Sequence, residues 1–586
     1  MLKKIIVGLV SLALATVSLT GCSEPAGLVK GSSLVIGEVS YLSNLNSGVV
    51  GTTGQMRSNT DLAALTMPSF YSTDGNGALV ANSQFGSVTA TGNKVTYRLT
   101  GKATWSDKAP VTEVDLALSW AAAVNQAQAG FNASSRASSL ALATGIPQIS
   151  TNKLVLTYDQ LPPDWQTNLQ ITVPAHLVAN QVYSASDMGA ATDTDVSLAL
   201  LQSIEDADAA KLAQVAQAYN SVVALNVAAP TSAAPKAALV SAGPYLLTKV
   251  SANEAQLTVN PEFTWGPAPT VEKLTIKCFN GTKRLLVALN KSELDLAMPV
   301  ETITTSYAQI LTSLDAASDL GISYLAGASQ TQEVLLFSYR SRSAFAYNLS
   351  RSNAALVESA RDAFRVFVPR SAFVTTLSPG SALTRSDSLV YQPGTSDYKA
   401  TIKSNGSAQL QFQQAETASQ VLAKGGHVEK VPIRVLFDSK NPRGQIEFGL
   451  LDRYAKATGF VLQNVSSVNP AQAFTDGAWD VYITNQQLLG SSAKGLAAAS
   501  SAVTGFKNQT VATLLASLGK SKDLSKETSK LQNLDQLLIK NGYGLPLFTL
   551  PNSVAYSAKL KNYSPNVATQ SIVNGYWNWS VEAPAK

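Results

Sequence analysis

Period-two alternation of apolar and polar residues recurs along the chain, and each instance predicts a strand with one buried face. Val95, Tyr97 and Leu99 alternate with Thr96 and Arg98. Val35 to Val39, Leu154 to Tyr158, Gln256 to Val259, Lys273 to Phe279 and Glu333 to Ser338 read as further strands. Helical spacing takes over between them. Leu62, Leu65 and Met67 mark a helix over Asn59–Met67, stopped by Pro68. Thr112-Glu113-Val114-Asp115 has the Thr-x-x-Asp form of a capping box, and it opens a helix carrying Leu116, Ser119, Trp120 and Ala123. The Ala-rich run Leu198–Val223 predicts one long surface helix, and Asn353–Val366 a helix with Leu356, Ala360, Ala363, Phe364 and the following Phe367 on one face. Asp74-Gly75-Asn76-Gly77 is a turn. Later the order becomes strand Val431–Phe437, helix Arg443–Thr458 closed by Gly459, strand Phe460–Val465 and strand Trp479–Thr484. That βαβ order predicts a parallel sheet covered by helices, hence an α/β protein. Lys520–Lys530 reads as a solvated helix face.

Composition narrows the partners. Of 586 residues only 14% are charged and 45% are hydrophobic, against about 25% charged in an average soluble domain. Disorder is excluded, and the length allows two to four domains of roughly 100–200 residues. A net charge of +5 on so long a chain predicts no nucleic-acid partner. The two histidines, His176 and His427, and two cysteines, Cys22 and Cys278, supply neither a disulfide framework nor a CxxC metal site. The N-terminus accounts for one cysteine. Lys3 and Lys4 precede an uncharged apolar run, Ile5–Leu19, too short for an ordinary spanning helix and suited to a signal peptide. Leu19-Thr20-Gly21-Cys22 then resembles a bacterial lipobox, which makes 1–21 a signal peptide, Cys22 the lipidated residue and 22–34 a tether. The expected location is the extracytoplasmic face of the cell membrane. Cys278 lies in an alternating segment and reads as a small buried hydrophobe.

Catalytic signatures are scarce. There is no GxGxxG, Walker A, HExxH or Gly-x-Ser-x-Gly sequence. Ser-x-x-Lys occurs at Ser396, Ser491 and Ser517, without the accompanying Ser-Asp-Asn and Lys-Thr-Gly. Asp206 and Asp208 read as solvated helix carboxylates. The expectation is a binding protein, not an enzyme, with no cofactor and no metal.

Five segments in order carry a resemblance. They are Val95–Leu99 with Trp105-Ser106-Asp107 and Pro110–Asp115; Gly243-Pro244-Tyr245 leading to Asn260–Gly266; Glu293–Leu296; Ala360–Phe364 with Pro369-Arg370; and Leu545-Pro546-Leu547-Phe548. Together they resemble family 5 of the extracellular solute-binding proteins of ABC transporters, the oligopeptide, dipeptide and nickel group. Three positions differ: Lys108 replaces the Gly after the Asp, Glu113 stands in place of the Ala of the family's Ala-x-Asp, and one extra residue precedes Trp265.

The resemblance implies a two-lobed periplasmic-binding-protein-like fold (type II, cluster C) with an extra small subdomain. Lobe I would comprise 35–277 plus 549–586, including a subdomain at about 76–150, and lobe II 278–548. It implies a monomer that captures a peptide or other small solute between lobes, delivers it to ABC permease subunits, and reaches the membrane through its lipid. The implied ligand-binding residues are Phe70, Tyr71, Phe131, Asn132, Tyr245, Phe263, Asn485, Gln486 and Phe548, with Tyr245 and Phe263 at a hinge. In peptide binders of the family an Asp after the strand matching Trp479–Thr484 anchors the peptide amine, whereas this chain has Asn485-Gln486 there. The chain also resembles an actinobacterial subgroup that assists cell-envelope lipoglycan assembly, a non-transporting alternative.

Overall fold

The computed structural model describes residues 27–39, 41–45, 53–125, 129–132, 139–183, 193–234, 236–301, 305–346, 354–377, 383–410, 415–499, 504–521, 524–569 and 571–582. Cys22 and the predicted signal peptide lie outside them. In chain order the strands are β1 (Val29–Val39), β2 (Tyr71–Thr73), β3 (Leu79–Ala81), β4 (Gly86–Thr91), β5 (Lys94–Leu99), β6 (Gln148–Ser150), β7 (Lys153–Thr157), β8 (Tyr245–Val250) and β9 (Glu254–Val259). They continue as β10 (Val271–Phe279), β11 (Leu296–Ala297), β12 (Ile322–Phe337), β13 (Thr384–Arg385), β14 (Val431–Leu436), β15 (Phe460–Asn464), β16 (Val481–Gln487) and β17 (Gly544–Ser557).

One sheet runs in the order β15-β14-β16-β12-β17-β11-β1-β10-β9-β8, with β13 paired to β17. The predicted βαβ unit is present, since β14 pairs parallel to both β15 and β16. A separate antiparallel sheet, β4-β5-β7-β6, and the β2-β3 hairpin occupy the region between residues 71 and 157. The hairpin turns at Asp74, whose Oδ1 accepts from the amides of Asn76 and Ala78.

Two large cores flank the middle of the main sheet. The first draws on residues from Leu34 to Met298 and again from Val554 to Val581. The second draws on residues from Val334 to Phe548. A smaller cluster, including Leu289, Ile310, Leu314, Ile322 and Ala555, lies along the crossing. The chain therefore leaves the first core on β12 and returns on β17, and these two long strands pair antiparallel with each other.

Several elements differ from the sequence expectation. The run Leu198–Val223 is two helices, Asp193–Glu205 and Ala209–Ser221. The break comes at Ala207, with φ of +51°, followed by Asp208, whose side chain accepts from the amides of Ala210 and Lys211 and restarts the helix. The helix Pro442–Ala455 ends before Gly459, which is not left-handed. A Cβ at Gly459 would stand 2.4 Å from Leu422 Cδ1, so close packing explains that glycine. Strand β1 begins at Val29, inside the stretch read as tether. Among the described residues of 520–530, a 3₁₀ turn, Leu524–Lys526, precedes the helix Thr528–Lys540.

Candidate functional site

Strand β12 enters the second core at Glu333, and its ladder is irregular on either side, between Ala328 and Gln332 and again between Glu333 and Val334. In register, Asn485 of β16 faces Glu333 from one side and Phe548 of β17 from the other. A charged residue at this rung requires a partner, because a buried carboxylate without one is costly. Arg443 is that partner, with Nη2 2.6 Å from Glu333 Oε2. The same nitrogen donates to Asn485 Oδ1 at 3.2 Å.

The helix Pro442–Ala455 fixes this arrangement. Asn441 caps it by accepting from the Arg443 amide, and Pro442 sits in its first turn. Residues 443 and 447 are one helical turn apart, which brings Glu447 to the same cluster. Arg443 Nε lies 3.8 Å from Glu447 Oε1, too far for a hydrogen bond. Glu447 is fully buried and both of its oxygens lack a hydrogen-bond partner. Burial, and then the charge on Glu333, push its carboxyl well above the usual carboxylate range, while Arg443 pulls the other way. Burial would lower the Arg443 pKa, but its acidic neighbours, Glu333 foremost, outweigh it and keep the guanidinium protonated.

The nine sequence-chosen residues distribute unevenly. Asn485 and Phe548 meet at the Glu333 rung, with Asn485 half-buried and Phe548 fully buried in the second core. Gln486, the next residue on β16, turns to the other face, where its Nε2 donates to the Tyr543 hydroxyl at 3.5 Å. Phe70 stacks edge-on against Phe85 in the first core. Phe131 packs on Tyr219, and the exposed Asn132 donates its amide to Asn220 Oδ1. Tyr245 and Phe263 are not at the crossing. Tyr245 is buried on β8, at the far edge of the sheet, with its hydroxyl donating to Val271 O, and Phe263 packs on Trp265. The Gly243 turn before β8 is held against the helix Thr53–Thr66, where a Cβ would meet the Thr66 carbonyl carbon at 2.6 Å.

Tyr71 stands near a second meeting of the two halves. Its hydroxyl accepts from Gln166, beside Trp165, whose indole donates to Gly519 O at 3.3 Å. Gly519 follows the helix Gln509–Leu518 of the second core, and a Cβ there would lie 2.5 Å from Pro163 Cα. Both histidines have structural partners: His176 Nε2 with Asp107 Oδ2, and His427 Nε2 with Leu356 O, each at 2.8 Å. Cys278 is buried on β10, and burial pushes its thiol pKa up. Among the described residues no three His, Cys, Asp or Glu side chains converge as a metal site. A cavity of about 370 Å³ opens elsewhere, between the helices Ala354–Phe367 and Thr528–Lys540.

Residues 78–497 match the bacterial extracellular solute-binding proteins, family 5 middle. The chain belongs to that family. An uncharacterised lipoprotein of Mycobacterium leprae is 24% identical over 495 residues, covering 82% of this chain and 78% of the relative. Among solved structures, the periplasmic EDTA-binding protein EppA has a TM-score of 0.63 at 16% identity, covering 97% of this chain and 99% of its own. The oligopeptide-binding protein AppA of Bacillus subtilis, in complex with a nonapeptide, has a TM-score of 0.59 at 11% identity, covering 94% and 99%. These likenesses establish the two-lobed fold of family 5 binding proteins. The residues at the Glu333 rung were only partly visible in the sequence. A lone Glu ahead of Val334-Leu335-Leu336-Phe337 was the signal for Glu333, whereas Arg443 and Glu447 read as ordinary positions of an amphipathic helix.

Proposed function

We propose that this protein is a lipid-anchored extracytoplasmic receptor that captures peptide-like solutes between its two lobes and passes them to an ABC permease. Family membership supports the general role, and the Leu19–Cys22 lipobox pattern supports the anchor. One observation carries the location of the ligand. The Glu333–Arg443–Asn485 cluster, with the unpartnered Glu447 beside it, lies where β12 passes from one core to the other. Buried polar atoms without partners need an explanation, and a ligand that hydrogen-bonds them is one. The two strands shared by the halves, β12 and β17, would serve as the hinge for closure around a solute. Equilibrium binding against a broad peptide pool tests this reading: retention at micromolar concentration is expected, and no retention overturns it. For the anchor, Cys22→Ser protein is expected in the culture fluid instead of the membrane fraction, and continued membrane association removes that part.

A non-transporting role in envelope lipoglycan assembly is favoured by a single observation, that the uncharged Asn485-Gln486 stands where the family's peptide binders carry an Asp. Import of the captured solute that stops when this protein is deleted would exclude it.

A further inference from the structure

At the Glu333 rung the protein brings its own cation. Arg443 sits on the first turn of a helix fixed by Asn441 and Pro442, so its guanidinium is held beside Glu333 at high effective concentration. The Nη2 group reaches both Glu333 and Asn485, while Nε has no hydrogen-bond partner and the side chain is 21% exposed. Glu447 does not open a second carboxylate to an incoming ammonium. It is fully buried, and burial together with the Glu333 charge favours its neutral acid. Glu301 is the further acid whose charge reaches Arg443, and the other neighbours at the rung, Asn485 and Phe548, are uncharged.

We infer that Arg443 occupies the position a ligand ammonium would otherwise take, so that the site selects peptide-like ligands whose end at this rung is uncharged, as in N-acylated or cyclic peptides. This rests on the reading of the rung as the ligand site. A free ammonium arriving there must either displace a tethered guanidinium from Glu333 or remain beside it, like charge against like charge. An acyl carbonyl meets neither obstacle and accepts hydrogen bonds from the guanidinium, a group with five donors and no acceptor. A carboxylate end gains from Arg443 but faces Glu333 and Glu301, so the neutral acceptor suits the rung best.

The test uses one random tetrapeptide pool prepared twice, with free and with N-acetylated amino ends, against the full-length protein. Wild type is expected to retain the acetylated pool at least about tenfold better, a preference worth one unit in log K. Arg443→Ala and Arg443→Gln are expected to move that preference toward the free-amine pool. Equal or better retention of free amines by wild type overturns the inference, as does an unchanged preference in a folded variant. If wild type retains neither pool, the peptide reading fails by itself. The inference is then decided by thermal melting in millimolar methylguanidinium chloride against sodium chloride at equal ionic strength. The emptied site of Arg443→Ala or Arg443→Gln should be stabilised and wild type should not, and an equal response of wild type and variants overturns it.

Discussion

Single buried carboxylates do much of the local organising in this chain. Asp535 is the fullest case. One oxygen accepts from the Ser388 hydroxyl and the amides of Leu389 and Val390 at 2.8–3.2 Å, and the other from Asn405 Nδ2 at 2.7 Å. Asp535→Ala leaves these buried donors unpaired, so a loss of at least about 3 kcal/mol in urea unfolding is expected. A loss below about 1 kcal/mol would show that water replaces the carboxylate. Burial raises the Asp535 pKa from 3.8 to about 6 against the opposing hydrogen bonds. The folded protein thus holds this proton more tightly than the unfolded chain. The sign follows: the proton-linked contribution is complete below about pH 4 and is lost as pH rises to about 6. The stability difference between wild type and Asp535→Asn should shift across that window, and a constant difference would remove the assignment. Asp115, also raised to about 6 by burial, was legible in sequence through its capping box. Asp535 was not, because its four donors come from segments more than 100 residues away.

At the scale of elements, periodicity identified what packing reinforces and missed what a few local bonds decide. The strands β5 and β7 and the β14–β15–β16 unit follow their hydrophobic patterns because each buries a face in a core. The break at Ala207 had no periodic signal, since Leu200, Ile204, Leu212, Val215 and Tyr219 all remain buried across it. What restarts the helix is the Asp208 cap, and what bends the chain is a non-glycine residue at φ of +51°. Asp208→Ala should cost about 1 kcal/mol, and Ala207→Gly should be stabilising by up to about 1 kcal/mol because a left-handed Cβ is removed. Thermal melting of both variants checks this, and opposite signs would mean that the two helices gain from joining. The same lesson holds at the candidate site. As neighbours on a strand, Asn485 and Gln486 must face opposite sides, but only the register of β16 against β12 brings Asn485 rather than Gln486 opposite Glu333.

For the whole molecule, the decisive feature is that two cores are connected by β12 and β17 and touch again at Trp165 and Gly519. The sequence order anticipates such a division, because the second core is one continuous excursion from Val334 to Phe548. Each core is large enough for its own cooperative unfolding, and a protein of this kind does not unfold as one two-state unit. The tryptophans make this measurable. Trp105, Trp120, Trp165, Trp265, Trp577 and Trp579 belong to or pack on the first core, whereas Trp479 is buried beside Phe474 and Tyr482 next to β16. Urea unfolding followed by fluorescence should therefore show two transitions. Trp479→Phe should erase the fluorescence of one of them while far-ultraviolet dichroism still reports both. If, as proposed, a ligand at the Glu333 rung is enclosed by both lobes, a saturating ligand should raise both midpoints and bring them together. If every probe instead reports one coincident transition without ligand, the two strands and the Trp165 contact couple the halves fully. Closure around a solute would then have to occur within a single cooperative unit.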